Sequence, residues 1–271
     1  MTLSYDIDEV RPYINWIYFF HAWSMNGKPD AERQRLRDDA EQVLDSWQGR
    51  YHTHAVFELM EANSDGDDLL LGGVRIPMLR QQKPMAPGTP NLCLADFVRP
   101  LASHQPDRAG AFATTVDAAM EAEGADDVYL HMLSQVLADR LAEATAELMH
   151  LQVRRHYWGY APHEQLSMAD LLAERYDGIR PAVGYPSLPD TSVNFILSDL
   201  VGFHRIGISL TESGMMQPHA SVSGLMFAHP GARYFDLGPI GDDQLRDYAR
   251  RRGMEVDRAR HFLSSRLLAR S

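Results

Sequence analysis

The 271 residues carry a formal charge of -11 and 45% hydrophobic side chains, enough apolar content to bury a sizeable core without disulfides or metal. The acidic balance argues against a nonspecific nucleic-acid binder, which needs a Lys/Arg surplus, and the lone Cys93 rules out an internal disulfide and fits a reducing compartment, so a cytoplasmic location is expected. Asp6, Asp8 and Glu9 stand where a secretory signal carries basic residues, and the apolar stretch 14–23 is interrupted by His21 and too short to span a bilayer, so neither export nor a membrane anchor is expected.

Over 31–47, charged and apolar positions alternate at helical spacing, with Leu36, Ala40, Val43, Leu44 and Trp47 on one face and Asp30 as N-cap. Two β-rich runs follow, 53–60 and 69–74, joined by Asn63-Ser64-Asp65-Gly66-Asp67; this predicts a hairpin. A loop with three prolines and a glycine at 83–90 leads into 92–98 and 110–115, both read as buried strands. In 127–157, Leu133, Leu137, Leu141, Ala144, Leu148 and Leu151 lie three or four apart, the stripe of a long helix packed on a core.

Ser167, with Asp170 three residues on, opens a second helix predicted to run to about Tyr176 before Asp177-Gly178 ends it. A short helix at 192–199, apolar segments at 206–211 and 220–228, and two helices around Gly253 within 242–268 complete the chain. With no repeat and no linker, residues 1–271 read as one domain. Strands alternating with long helices, without regular βαβ punctuation, predict an α+β fold with a mostly antiparallel sheet.

Two segments stand out for chemistry: Tyr157-Trp158-Gly159-Tyr160-Ala161-Pro162 and Gly178-Ile179-Arg180-Pro181-Ala182-Val183-Gly184-Tyr185-Pro186. Prolines and glycines around one arginine fix an irregular backbone that can present N–H and C=O groups to a ligand, while the guanidinium can clamp a carboxylate. On composition alone, a proline-rich connector with a surface arginine is the commoner reading. Residues 210–224, dense in hydroxyls, glycine and methionine, leave room for something to approach closely; they also read as a strand edge with a turn. Asp39, Glu143 and Glu174 lie on predicted helices and by themselves read as solvated, and Glu143 falls off the leucine stripe, so periodicity points it at water.

The twelve histidines include no HExxH and no Cys/His pair at ligand spacing, and His150 and His156 do not share a helical face, so no metal is expected. Walker A, GxGxxG and GxSxG patterns are lacking too. Arg250-Arg251-Arg252-Gly253 between two helices has the outline of a helix-turn-helix, but Asp242, Asp243, Asp247, Glu255 and Asp257 flank it and argue against DNA.

Read together, these strings resemble the activation domain of cobalamin-dependent methionine synthase. The likeness runs in order through 16–28, 92–98, 110–114, Leu137-Ala138-Asp139-Arg140-Leu141-Ala142-Glu143-Ala144, 157–162, 178–186, 211–224 and Asp247-Tyr248-Ala249-Arg250-Arg251, essentially the whole chain. The resemblance implies a single C-shaped α+β domain with a twisted, mostly antiparallel sheet flanked by long helices. It further implies a shallow groove on the inner surface that binds S-adenosylmethionine, for methylating cob(II)alamin back to methylcobalamin while a flavodoxin-type protein supplies an electron.

By the same resemblance Arg180 binds the methionyl carboxylate, Ala182 and Gly184 give backbone contacts, and Tyr185 stands close to the methyl and the cobalamin as the catalytic candidate. Tyr234 and Phe235 form an aromatic pair, and Asp39, Glu143 and Glu174 are the acidic positions. Such a set suits a ligand with a sulfonium, an ammonium and a carboxylate. Departures from the family pattern are Pro218-His219-Ala220-Ser221, where a glycine usually precedes the alanine, Phe235 in place of a tyrosine, and Ser187-Leu188 where a cysteine often follows. No residues remain for homocysteine, folate or cobalamin modules, so the chain is expected to be a methyltransferase component without a complete active site of its own, its cobalamin carried by a partner protein docking in trans. An S-adenosylmethionine sensor, or a cobalamin-protein chaperone, is the alternative.

Overall fold

A computed structural model describes residues 1–83 and 86–268; the predicted loop at 83–90 thus falls partly outside the described residues. Its strands are β1 (Thr2–Asp6), β2 (His52–Asp65), β3 (Asp68–Leu71), β4 (Val74–Pro77), β5 (Asp107–Val116), β6 (Ser209–Leu210), β7 (Met216–Gln217) and β8 (Ser221–Met226). Its helices are α1 (Ile7–Val10), α2 (Trp16–Ala22), α3 (Asp30–Trp47), α4 (Val128–Gln152), α5 (Met168–Leu172), α6 (Val193–Val201), α7 (Asp242–Arg252) and α8 (Val256–Phe262).

The main sheet is antiparallel throughout, in the order β4-β3-β2-β5-β8, with β1 pairing the first residues of β2. Side chains alternate across a strand: Ala109, Ala111 and Ala113 of β5 enter one core, and Phe112 and Val116 enter the other. Because both faces are covered, β5 reads as a near-continuous apolar run. Its two buried threonines are satisfied: Thr114 Oγ1 donates to the Ala142 carbonyl at 2.9 Å, and Thr115 Oγ1 to that of Ala220 at 3.2 Å. The first core is closed by α6, α7 and α8, the second by α1 to α4. The fold is α+β with a curled antiparallel sheet, as expected.

Helix α3 buries Leu36, Ala40, Val43, Leu44 and Trp47, the predicted face, but its N-cap is Pro29, and Asp30 is the first helical residue. Helix α4 buries the predicted stripe from Leu133 to Leu148, with Leu151 half-buried. Asp127 caps it by accepting from the N–H groups of Tyr129 and Leu130. Its C-terminus widens into a π turn over 153–157, closed by Trp158 N–H donating to the Val153 carbonyl at 2.9 Å.

Several expectations are corrected. The predicted strand at 92–98 is a 3-10 turn, Leu94–Phe97, because the Asp96 carboxylate accepts from the Cys93 N–H at 2.9 Å and captures the backbone locally. The run 69–74 is broken by Gly72-Gly73 into β3 and β4, and the turn before it shrinks to Gly66 and Asp67, since Asp65 and Asp68 still pair. The helix opened by Ser167 stops at Leu172, because Glu174 adopts a left-handed φ of 55°. The apolar segment 206–211, for which no element is predicted, starts at Ile206, the last residue of a 3-10 turn, and contains the two-residue β6, which pairs β7.

Beyond β8 the backbone at 179–183 extends the sheet: Ile179 and Phe227 exchange N–H···O bonds at 2.9 Å, Leu225 N–H donates to Pro181 O at 3.0 Å, and Val183 N–H to Ser223 O at 2.9 Å. A Cβ at Gly224 would sit 2.2 Å from the Pro181 carbonyl oxygen, and one at Gly178 2.3 Å from that of Phe227. Only glycine permits this approach. Gly224→Ala is therefore expected to cost about 1–3 kcal/mol in urea denaturation, the usual range for overpacking; a variant as stable as the parent would show that segment 179–183 yields freely.

Candidate functional site

The added edge sets the geometry of a groove of about 860 Å³, a volume suited to a small-molecule ligand. Side chains alternate along this extended edge, so Ile179 and Val183 pack on the first core while Arg180 and Ala182 line the groove. Phe112 and Val222 of the sheet, Arg140, Glu143 and Glu147 of α4, the N-terminal Tyr13, Asn15, Tyr18 and His21, and Tyr234 and Phe235 complete the wall.

Arg180 forms its base. One terminal nitrogen donates to Glu147 Oε2 at 2.6 Å, the other to the Tyr176 hydroxyl at 2.6 Å, and its backbone N–H donates to the Tyr234 hydroxyl at 3.0 Å. Burial opposes the guanidinium charge, but the Tyr176 hydroxyl and the Glu147 carboxylate outweigh it and hold Arg180 firmly protonated. Behind it, the guanidinium of the fully buried Arg154 lies 4.0 Å above the Tyr176 ring, pairs with Glu164 at 2.9 Å and bonds His150 Nδ1 at 2.8 Å. Tyr160 donates to the Asp177 carbonyl at 3.1 Å and touches His150 Nε2 at 3.5 Å. The two proline-and-glycine segments picked out by composition are thus fastened to each other through this network.

Tyr185 stands at the lip. It opens a four-residue turn with Pro186 second, closed by Leu188 N–H donating to the Tyr185 carbonyl at 2.9 Å. Gly184, at φ 89°, donates its N–H to the Leu188 carbonyl at 2.8 Å; it shapes this turn and does not itself line the groove. The ring of Tyr185 is 52% exposed, and its hydroxyl donates to Glu143 Oε1 at 3.1 Å. Burial of the hydroxyl and the neighbouring Glu143 charge push its pKa up to about 12, so it remains a proton donor.

The acidic positions separate. Glu143 does not point at water as periodicity suggests: it lines the groove and pairs with Arg140 at 2.9 Å. Glu174 lines the rim, and burial raises its pKa against the pull of Arg180. Asp39 lies on α3 outside the groove lining and accepts from the Tyr129 hydroxyl at 2.6 Å. Phe235 is buried, its ring edge-on to Phe97 at 6.4 Å. His219 also stays outside the groove lining, its imidazole 3.6 Å from Asp139. Sequence reasoning missed Glu147, Tyr176, Tyr13, Asn15 and Tyr18. Glu147 had a signal, since it follows Glu143 by four residues and so shares its helical face. Among the described residues no cluster of three or more His, Cys, Asp or Glu is placed to hold a metal, and no helix is long and apolar enough to cross a membrane.

The family model described as vitamin B12 dependent methionine synthase, activation domain, matches residues 6–253. Among solved structures, one described as the MetH reactivation domain bound to AdoHcy is similar at a TM-score of 0.92 and 39% identity, covering 100% of this chain and 90% of that one.

His150 gives this network a pH signature. Burial first, then Arg154 and Arg180, hold its pKa well below the ordinary 6.5. Below that value only the unfolded chain takes up the proton, so acidification from pH 7 to 5 should lower stability by up to about 1.4 kcal/mol per pH unit. The raised Glu174 acts with opposite sign: its contribution is full below the ordinary 4.5 and is lost as pH rises through its folded value. Urea denaturation across this range should show a shallower slope in His150→Gln; an identical slope in both proteins would mean the imidazole titrates freely.

Proposed function

We propose that this chain, a member of the vitamin B12 dependent methionine synthase activation domain family, binds S-adenosylmethionine in the groove over Arg180 and presents its methyl group at the Tyr185 lip. The observation that carries the reading is the juxtaposition of one buried guanidinium with carboxylates and aromatic rings in a single groove. Arg180 takes the methionyl carboxylate through the N–H groups that Glu147 and Tyr176 leave free. Glu143, Glu174 and the Tyr185 ring favour the cationic groups of the ligand by charge and by the ring quadrupole. Ala182 offers its outward backbone, Gly184 sets the turn that holds Tyr185, and Tyr234 and Phe235 close the far side. Asp39, an acidic position given by resemblance, contributes in this reading by anchoring Tyr129 at the start of α4.

The role we assign is reductive methylation of cobalamin on a separate methionine synthase protein that docks in trans. Cobalamin held by that partner would supply the methyl acceptor after one-electron reduction by a flavodoxin-type donor. This chain's residues position the sulfonium, whose carbon–sulfur bond breaks to leave a neutral thioether. Exposure favours this reading over a sensor that sequesters its ligand: Tyr185 and Tyr18 are 52% and 58% exposed around the groove, where a sensor would cover them.

Isothermal calorimetry tests the ligand. S-adenosylmethionine should bind, Arg180→Ala should weaken it by about a hundredfold or more, and Tyr234→Phe, which removes one acceptor, by about three- to tenfold. Equal affinity in both variants and the parent would remove the assignment. For the partner, Tyr185→Ala should slow methylation of a cobalamin-loaded methionine synthase added in trans while the variant still binds ligand; a full rate would separate the lip from the transfer.

A further inference from the structure

The charged side chains around the groove cancel in pairs, with two ionisable groups left over. Arg140 pairs with Glu143 at 2.9 Å, Arg180 with Glu147 at 2.6 Å, and Asp236 with Arg266 at 2.8 Å. Burial keeps the hydroxyls of Tyr13, Tyr185 and Tyr234 protonated and uncharged. Glu174 lies on the rim with no ion pair among the described residues. The other is His21, exposed on α2 three residues after Tyr18 and so on the same helical face. Its imidazole makes no hydrogen bond, ion pair or ring contact among the described residues. With Glu174 ionised and His21 neutral, the groove carries one net negative charge; with His21 protonated as well, it carries none.

S-adenosylmethionine, with a carboxylate, an ammonium and a sulfonium, carries one net positive charge, and the thioether left once its methyl is given up carries none. The two compounds differ by one methyl group and one charge. A cation added to the groove therefore acts on the ratio of their affinities, whereas a change at the carboxylate end acts on both alike.

We infer that His21 is a specificity-determining residue that sets the choice between the sulfonium donor and its spent thioether: the neutral imidazole admits the sulfonium, and the imidazolium repels it. This rests on the reading of the groove as a site for S-adenosylmethionine and adds which of the two compounds the groove retains as the medium turns acid. Solvent around the exposed ring screens the repulsion, so the effect is modest in size.

Calorimetry with S-adenosylmethionine and S-adenosylhomocysteine at about pH 7 and about pH 5.5, a range in which histidine changes charge, tests it. The ratio of the two affinities on one sample cancels any loss of folded protein. In the parent, acidification should move that ratio toward S-adenosylhomocysteine by about three- to tenfold. His21→Gln, a change at an exposed position, should confine the movement to within about twofold. Protonation of Glu174 acts with the same sign, so Glu174→Gln is the control and should keep most of the parental movement. A ratio in the parent that ignores pH overturns the proposal, as does a movement that persists in His21→Gln or vanishes in Glu174→Gln. Binding of neither compound by the parent would instead overturn the reading of the groove itself.

Discussion

A guanidinium in a protein interior must be paired, and the pairing of Arg180 with Glu147 at 2.6 Å organises everything around it. For the two to meet, α4 must lie across the inner face of the sheet, and segment 179–183 must come close enough to β8 to act as one more strand. The small residues make this possible: Gly224 and Gly178 leave room where any Cβ would strike a carbonyl oxygen. Tyr176 and Arg154 then support the arginine from behind, so its remaining N–H groups are directed by packing as well as by charge. Such support is what keeps a binding group in one geometry before the ligand arrives.

Legibility in the sequence followed the range of the interactions involved. The buried face of α3 was readable because one amphipathic helix against one core obeys a single period. The leucine stripe of α4 was readable too, but its period implied a wet opposite face. In the structure that face meets the N-terminal segment and the 180–187 loop, so Glu143 and Glu147 become groove wall. Apolar composition alone does not distinguish a strand from a buried turn, and at 92–98 the Asp96 carboxylate decided the matter. The pairing of β1 with β2 spans about fifty residues and leaves no local mark.

The site itself divides in the same way. Arg180, Ala182 and Tyr185 sit in a string whose prolines and glycines advertise a constrained backbone, and the resemblance placed them together. Tyr13, Asn15 and Tyr18 reach the groove only because α2 packs on α4, a contact between elements more than a hundred residues apart. Asp39, named by resemblance, is oriented by Tyr129 and stands apart from the groove lining.

The turn at 185–188 gives the molecule a division of labour. Tyr185 hangs on a short loop closed mainly by its own backbone bonds, whereas the base of the cleft is locked into sheet, helix and buried charges. Ser187 and Leu188 of the turn are buried, Leu188 in the first core, so only Tyr185 at its start can change without disturbing the packing beneath. On the proposed reading, a change at that one exposed ring alters the surface offered to a docking protein more than it alters the buried base of the groove.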